Sequence, residues 1–234
     1  MFATEMTEVP VQTLHFADDG ATPNSRFPVL LYRLEPDPGG DSAGAFEALF
    51  AAHRWTPLWR AGIFDYHHYH PNAHEVLGVA RGQARVTLGG AAGQTLTVKV
   101  GDVLVLPAGT GHRCVEASSD FLVVGAYPQG QEDYDIQRPD RAAHKQALAR
   151  IAATAGPEQD PVSGVHGALM SEWQCSLAGA AAGRFERIRR CRHGASGRTV
   201  PVRLHHQLSY RAGRVQHRAR PVADGAGSAV AGAT

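Results

Sequence analysis

"GIFDYHHYHPNAHEVLGVARG", Gly62 to Gly82, packs four histidines and a glutamate into the nine positions from His67 to Glu75. A solvated polar loop and a metal site are the two accounts of such a cluster, and spacing separates them. In a strand, residues two apart face the same way. His68 and His70 then share a face with Tyr66 and Phe64, while His67 and Tyr69 take the other. Pro71-Asn72-Ala73 reads as a turn, after which Glu75, Leu77 and Val79 share one face. If the His68/His70 face is interior, Glu75 folds back over it. A fourth ligand is offered by "GDVLVLPAGTGHRCVE", Gly101 to Glu116. There His112 follows a Pro-Ala-Gly-Thr-Gly turn and opens a strand whose inward face would carry Cys114 and Glu116.

The flanking sequence is a series of short strands. "ARVTL" alternates Ala84, Val86 and Leu88 against Arg85 and Thr87, and "TLTVKV" alternates Leu96, Val98 and Val100 against polar partners. "DVLVLP" is apolar on both faces, and "HRCVE" and "FLVVGAYP" follow. Gly-rich turns separate these runs, a pattern that predicts a β-sandwich or small barrel. Upstream, Val9–Phe16 and Arg26–Glu35 read as extended segments. Asp41 or Ser42 caps a predicted helix over Ala43–His53, with Phe46, Leu49 and Phe50 forming one stripe. After the strands, Asp140 caps a second predicted helix that runs to about Ala152. "PEQDPVSGVHGALMSEW" reads as a loop ending in apolar anchors.

The two histidine-bearing segments resemble the paired motifs of the cupin superfamily. Gly62, five residues, His68-x-His70, four residues, Glu75, six residues, Gly82 matches the first motif. Gly101, five residues, Pro107-x-Gly109, two residues, His112 matches the second. One position departs: Glu116 stands where the second motif usually ends in Asn. The wider context, from about Arg26 to Trp173, resembles the YjlB-type bacterial cupins. The resemblance implies a mainly β chain folded as a double-stranded β-helix, a jelly-roll-like small barrel, with a helix before and a helix after it. It also implies that His68, His70, Glu75 and His112 hold one divalent metal in the barrel mouth with one or two positions open. Imidazole and carboxylate donors suit Fe(II), Mn(II), Ni(II) or Zn(II), and ligand type alone does not choose among them.

Charge divides the chain. From Cys175 onward eleven arginines face Glu186 and Asp224, a net +9, whereas the whole chain is +1, so Met1–Gln174 carries −8. The expected organisation is an N-terminal extension over 1–25, a cupin domain with flanking helices over 26–173, and a basic low-complexity tail over 174–234. Poor in large apolar residues, the tail cannot bury enough surface to offset ordering entropy, so disorder is expected there. The abrupt change of composition suggests a terminus altered by a reading-frame shift. Its arginines follow no nucleic-acid-binding module, which argues against nucleic acid as a partner. No apolar run reaches the length of a membrane span, no signal peptide opens the chain, and the three cysteines have no metal-type spacing, so a cytoplasmic location is expected. "FPVLLYRL", Phe27–Leu34, is too apolar for a free edge strand, which raises a homodimer through the N-terminal segments.

Two function classes fit these residues. The first is a metal-dependent enzyme on a small organic molecule. A redox metal supports dioxygenase chemistry, and a non-redox one polarises a carbonyl or hydroxyl for isomerisation or decarboxylation. Glu75 would act as ligand or as general base, with Tyr66 as a second catalytic candidate on the ligand face. The second class is a non-catalytic cupin that binds or senses a small ligand. The expected interior is apolar, lined by Phe64, Leu77, Val79, Ala84, Val86 and Leu88. Arg60, Arg81 and Arg113 lie near the mouth in sequence, but Arg113 has the wrong parity, which leans away from sugar phosphates. His53, His67, His74 and His144 read as solvated or satisfied side chains, and Cys114 as a small buried hydrophobe.

Overall fold

The computed structural model describes residues 10–36 and 39–181. Nine strands and three helices lie among them. The strands are β1 (Val11–Leu14), β2 (Val29–Arg33), β3 (Trp55–Ala61), β4 (Glu75–Arg81), β5 (Gln83–Leu88), β6 (Gln94–Lys99), β7 (Asp102–Leu106), β8 (His112–Ala117) and β9 (Leu122–Pro128). The helices are α1 (Ser42–Ala52), α2 (His144–Ala153) and α3 (Ala168–Ala181). The strands form a six-stranded sheet in the order β1-β2-β7-β4-β9-β3 and a three-stranded sheet in the order β6-β5-β8. Every pairing is antiparallel. This is the mainly β, jelly-roll-like architecture expected from the strand pattern.

The larger sheet is buried on both faces, which accounts for runs such as "DVLVL" that show no polar alternation. Its inner face packs Val29, Leu31, Leu77, Val79, Leu104, Leu106 and Val123 against Ala84, Val86, Leu88 and Val98 of the smaller sheet. Its outer face carries Leu30, Tyr32, Val76, Ala80, Val103, Val105, Val124 and Ala126. That face is covered by Phe46, Leu49 and Phe50 of α1 and by Val162, Leu169 and Trp173 from the C-terminal side. Gly78 lets α1 approach: a Cβ there would meet the Phe46 ring at 2.8 Å. Asp41 caps α1 through a bond from the Gly44 N–H, as expected.

Several expectations need correction. The "FPVLLYRL" strand is not a bare edge, because β2 pairs with β1 on one side and β7 on the other. β1, inside the stretch expected as an N-terminal extension, takes the edge position of that sheet. Asp140 does not cap α2; it accepts from the Ala142 N–H in a preceding turn, and α2 starts at His144 without a side-chain cap. "GALMSEW" is helical rather than loop, since α3 carries its anchors Leu169 and Trp173 inward and continues past the expected boundary at Trp173. The expected tail otherwise falls on residues 182–234, outside the described residues. No helix among the described residues is long and apolar enough to cross a membrane.

The C-terminal cover is pinned by one buried carboxylate. Asp160 accepts from the Tyr32 hydroxyl and from the backbone N–H groups of Val162, Ser163 and Leu169. Removing it leaves buried donors without an acceptor, each costing about 1–3 kcal/mol. Asp160→Ala is therefore expected to destabilise the protein by about 3 kcal/mol or more in denaturant unfolding. A loss below about 1 kcal/mol would show that the cover is held by other contacts.

Candidate metal centre

The histidines converge because their backbones are tied together. His68 and His112 exchange a pair of backbone bonds, N–H to O of 3.1 and 2.9 Å, and form an isolated antiparallel bridge. The Gly109 N–H donates to His70 O at 2.8 Å. Gly109 has φ +91°, a left-handed conformation that glycine adopts without a Cβ penalty, so the turn before His112 can fold tightly. β4 begins at Glu75, directly opposite Leu106 at the end of β7. The short run from His67 to His70 is bridged only at His68 and Tyr69, so it is less strand-like than its spacing predicts.

One ring nitrogen from each of His68, His70 and His112 lies within 4.8 Å of the other two, and all three residues are buried. The Nδ1 atom of each meets a backbone carbonyl: Tyr66 O at 3.1 Å for His68, Asp135 O at 2.6 Å for His70 and Thr110 O at 3.0 Å for His112. A carbonyl can only accept, so each Nδ1 carries a proton, and Nε2 is the nitrogen whose lone pair a neutral ring offers to an ion. Glu75 stands beside two of them, with Oε1 3.4 Å from His70 Nε2 and Oε2 3.3 Å from His112 Nε2. Glu75 Oε1 accepts from the Tyr127 hydroxyl at 2.5 Å. Its Oε2 is buried and has no hydrogen-bond partner.

The electrostatics agree with this donor set. Burial pushes His68 down to about 2, with His112 and His70 adding to the effect, so it is a neutral donor at physiological pH. Burial also opposes charge on His70, but the adjacent Glu75 carboxylate raises it above its ordinary value. Burial works against an ionised Glu75 as well, yet His70 and His112 hold it well below the usual carboxylate range. A carboxylate oxygen without a hydrogen bond, held among imidazoles away from water, is costly unless a cation joins it. The residues present therefore fit a divalent ion.

The structure brings together all four residues expected to bind metal, His68, His70, Glu75 and His112, with the three histidines forming the tightest group. Tyr66 lies at the rim. Its ring is 5.6 Å from that of His68, stacks on Phe64 at 4.9 Å and carries the Arg138 guanidinium at 4.1 Å from its centroid. Phe64 is 43% exposed rather than interior. Glu116 points outward to Arg85, because a bulge between Cys114 and Glu116 breaks the parity that would have turned it inward. Cys114 packs against the inner core as expected. His53 meets Pro161 O and His144 meets Asp18, both satisfied.

Sequence reasoning missed the residues that stand behind the donors. Tyr127 shares strand parity with Val123 and Gly125, a signal that "FLVVGAYP" does contain. The segment around Asp135 and Gln137 has no such signal: it runs alongside the histidines, exchanging 2.9 Å bonds between Gln137 and Tyr69. His74, read as solvated or satisfied, takes the second course: it is 2% exposed, accepts from the Ala108 N–H at 2.9 Å and packs on Trp173.

A family model described as Cupin domain matches residues 61–124. "Uncharacterized protein YjlB" of Bacillus subtilis is 37% identical over 167 residues, covering 71% of this chain and 98% of that protein. Among solved structures, a Bacillus subtilis oxalate decarboxylase studied for its Mn(II) centres is 19% identical with a TM-score of 0.27. The match covers 58% of this chain and 29% of that one. An uncharacterised conserved protein with a double-stranded β-helix domain from Klebsiella pneumoniae is 14% identical with a TM-score of 0.28. There the match covers 59% of this chain and 84% of that one.

His74→Ala removes a buried acceptor and a packed ring but none of the grouped nitrogens. The expected outcome is a loss of about 2–4 kcal/mol of unfolding free energy, with metal content per folded molecule unchanged. A fall in bound metal in the folded variant would place His74 among the ligands.

Proposed function

The chain belongs to the YjlB-like cupins, and on that premise we propose that it is a metal-dependent enzyme acting on a small organic molecule. Its centre is a three-histidine, one-glutamate site formed by His68, His70, Glu75 and His112. The observation that carries this reading is the commitment of three buried imidazole Nδ1 atoms to carbonyls, which turns three Nε2 atoms toward one point beside a carboxylate. The buried three-histidine group supports a metal-binding cupin, and its imidazole and carboxylate donors suit a divalent ion. Catalysis, the ligand role of Glu75 and the substrate-facing role of Tyr66 are what we add.

Four protein donors leave open positions around a six-coordinate ion, whereas a structural site closes them. A bound ion would supply either Lewis acidity or redox chemistry with O₂ at those positions. The protein's own groups prepare the rest. The aromatic pair Phe64 and Tyr66 offers an apolar face next to His68. Arg138 adds one guanidinium over that face, far in sequence from the motifs, which favours an organic acid over a neutral molecule.

Two measurements test the proposal. Protein purified without added metal is expected to carry close to one equivalent of a divalent ion by elemental analysis, and His70→Ala or His112→Ala to fall to background. A full equivalent in either variant would overturn the ligand set. In the Co(II)-loaded protein, azide or a small chelating acid is expected to shift the visible spectrum. A spectrum that no such ligand moves would favour a ligand-binding or sensor cupin with a closed centre.

A further inference from the structure

We propose that Tyr127 is a positioning residue that fixes Glu75 in its ligand pose, so that Glu75 stays a ligand and does not swing away as a base. The inference rests on the reading of Glu75 as a metal ligand.

Hydrogen-bond logic sets the direction of the contact. The Tyr127 hydroxyl has one proton. It lies 3.1 Å from Trp59 Nε1, and an indole N–H can only donate. The tyrosine oxygen must therefore accept from Trp59, which leaves its proton for Glu75 Oε1 at 2.5 Å. Oε1 thus carries the tyrosine's bond, and Oε2, which has no hydrogen bond, is the oxygen freer to meet an ion.

The ring itself cannot yield. It is 1% exposed, stacked on Tyr134 at 4.1 Å and 11°, and set edge-on to His70 at 5.7 Å. Trp59 reaches the hydroxyl from β3 because its neighbour across the sheet is Gly125, where a Cβ would sit 2.1 Å from the indole. Residues of β3, β9 and the segment after it thus converge on a single carboxylate oxygen. A free glutamate side chain has several rotamers, and a ligand that must be ordered on binding loses affinity. Partners of this kind around a metal ligand are worth about 10- to 100-fold in affinity.

The test uses the full chain with Co(II) as the only probe, reading the visible spectrum and the rate of Co(II) loss to a chelator. Tyr127→Phe keeps the ring and removes the donor. It is expected to alter the spectrum and to speed Co(II) loss about 10- to 100-fold. Tyr32→Phe is the control for a purely structural role: it removes a buried hydroxyl from Asp160, and is expected to lower the unfolding midpoint with an unchanged spectrum. A folded Tyr127→Phe with wild-type spectrum and wild-type loss rate overturns the proposal. Should that variant not fold, Trp59→Phe carries the test; it leaves the tyrosine but not the donor that aims it, and an unchanged spectrum and loss rate there overturns the proposal equally. Failure of the underlying reading looks different: wild-type protein that takes up no Co(II), or Glu75→Ala with the wild-type spectrum.

Discussion

The commitment of each histidine's Nδ1 to a backbone carbonyl is the constraint on which the site depends. Without it an imidazole is free to choose its tautomer and its rotation, and three such side chains would present lone pairs toward one point only by chance. Carbonyls are fixed by the fold, so the fold sets the protonation pattern of the donors. Tyr66 and Thr110 do this from two residues away, as part of the same turns that carry His68 and His112. Asp135 does it for His70 from a distant segment, so one donor depends on chain that follows the barrel.

The large sheet explains how such positions stay rigid. Its central strands β4 and β7 are packed on both faces and have no solvated side that could breathe. Glu75 opens β4, His112 follows the turn that leaves β7, and Tyr127 lies near the end of β9, which pairs with β4 on its other side. The site is built where three strands end beside one another. The outer cover of α1 and the C-terminal segment acts on it only through the sheet, which is why Asp160 bears on stability and not on the donors.

Much of this was legible in the sequence. His68, His70, Glu75 and His112 are identifiable because two motifs fix their spacing, and strand parity alone puts Glu75 on the side of the apolar interior. Parity failed where the ladder is irregular. A bulge turned Glu116 outward, and nothing in "HRCVE" marks it. Phe64 was misplaced for a related reason, since the chain before His68 is loop and alternation does not apply. His74 was read only as solvated or satisfied, and its buried contact with the Ala108 N–H depends on a turn that only the folded chain brings near. Arg138 and Asp135 could not be placed, because their roles come from tertiary proximity across more than sixty residues. Tyr127 was the one residue whose signal was present and unread.

Gly125 has an optical consequence. By giving its space to the Trp59 indole, it sets one of the three tryptophans within a single hydroxyl of the carboxylate. The other two look elsewhere: Trp55 donates to Gln159 O and Trp173 to Pro28 O, both on the outer side of the large sheet. The intrinsic emission of this chain therefore divides into a component that senses the centre and two that sense the C-terminal cover. An open-shell ion seated among the donors would quench the first. The protein carries its own fluorescent reporter of occupancy, built from the same indole that aims the tyrosine.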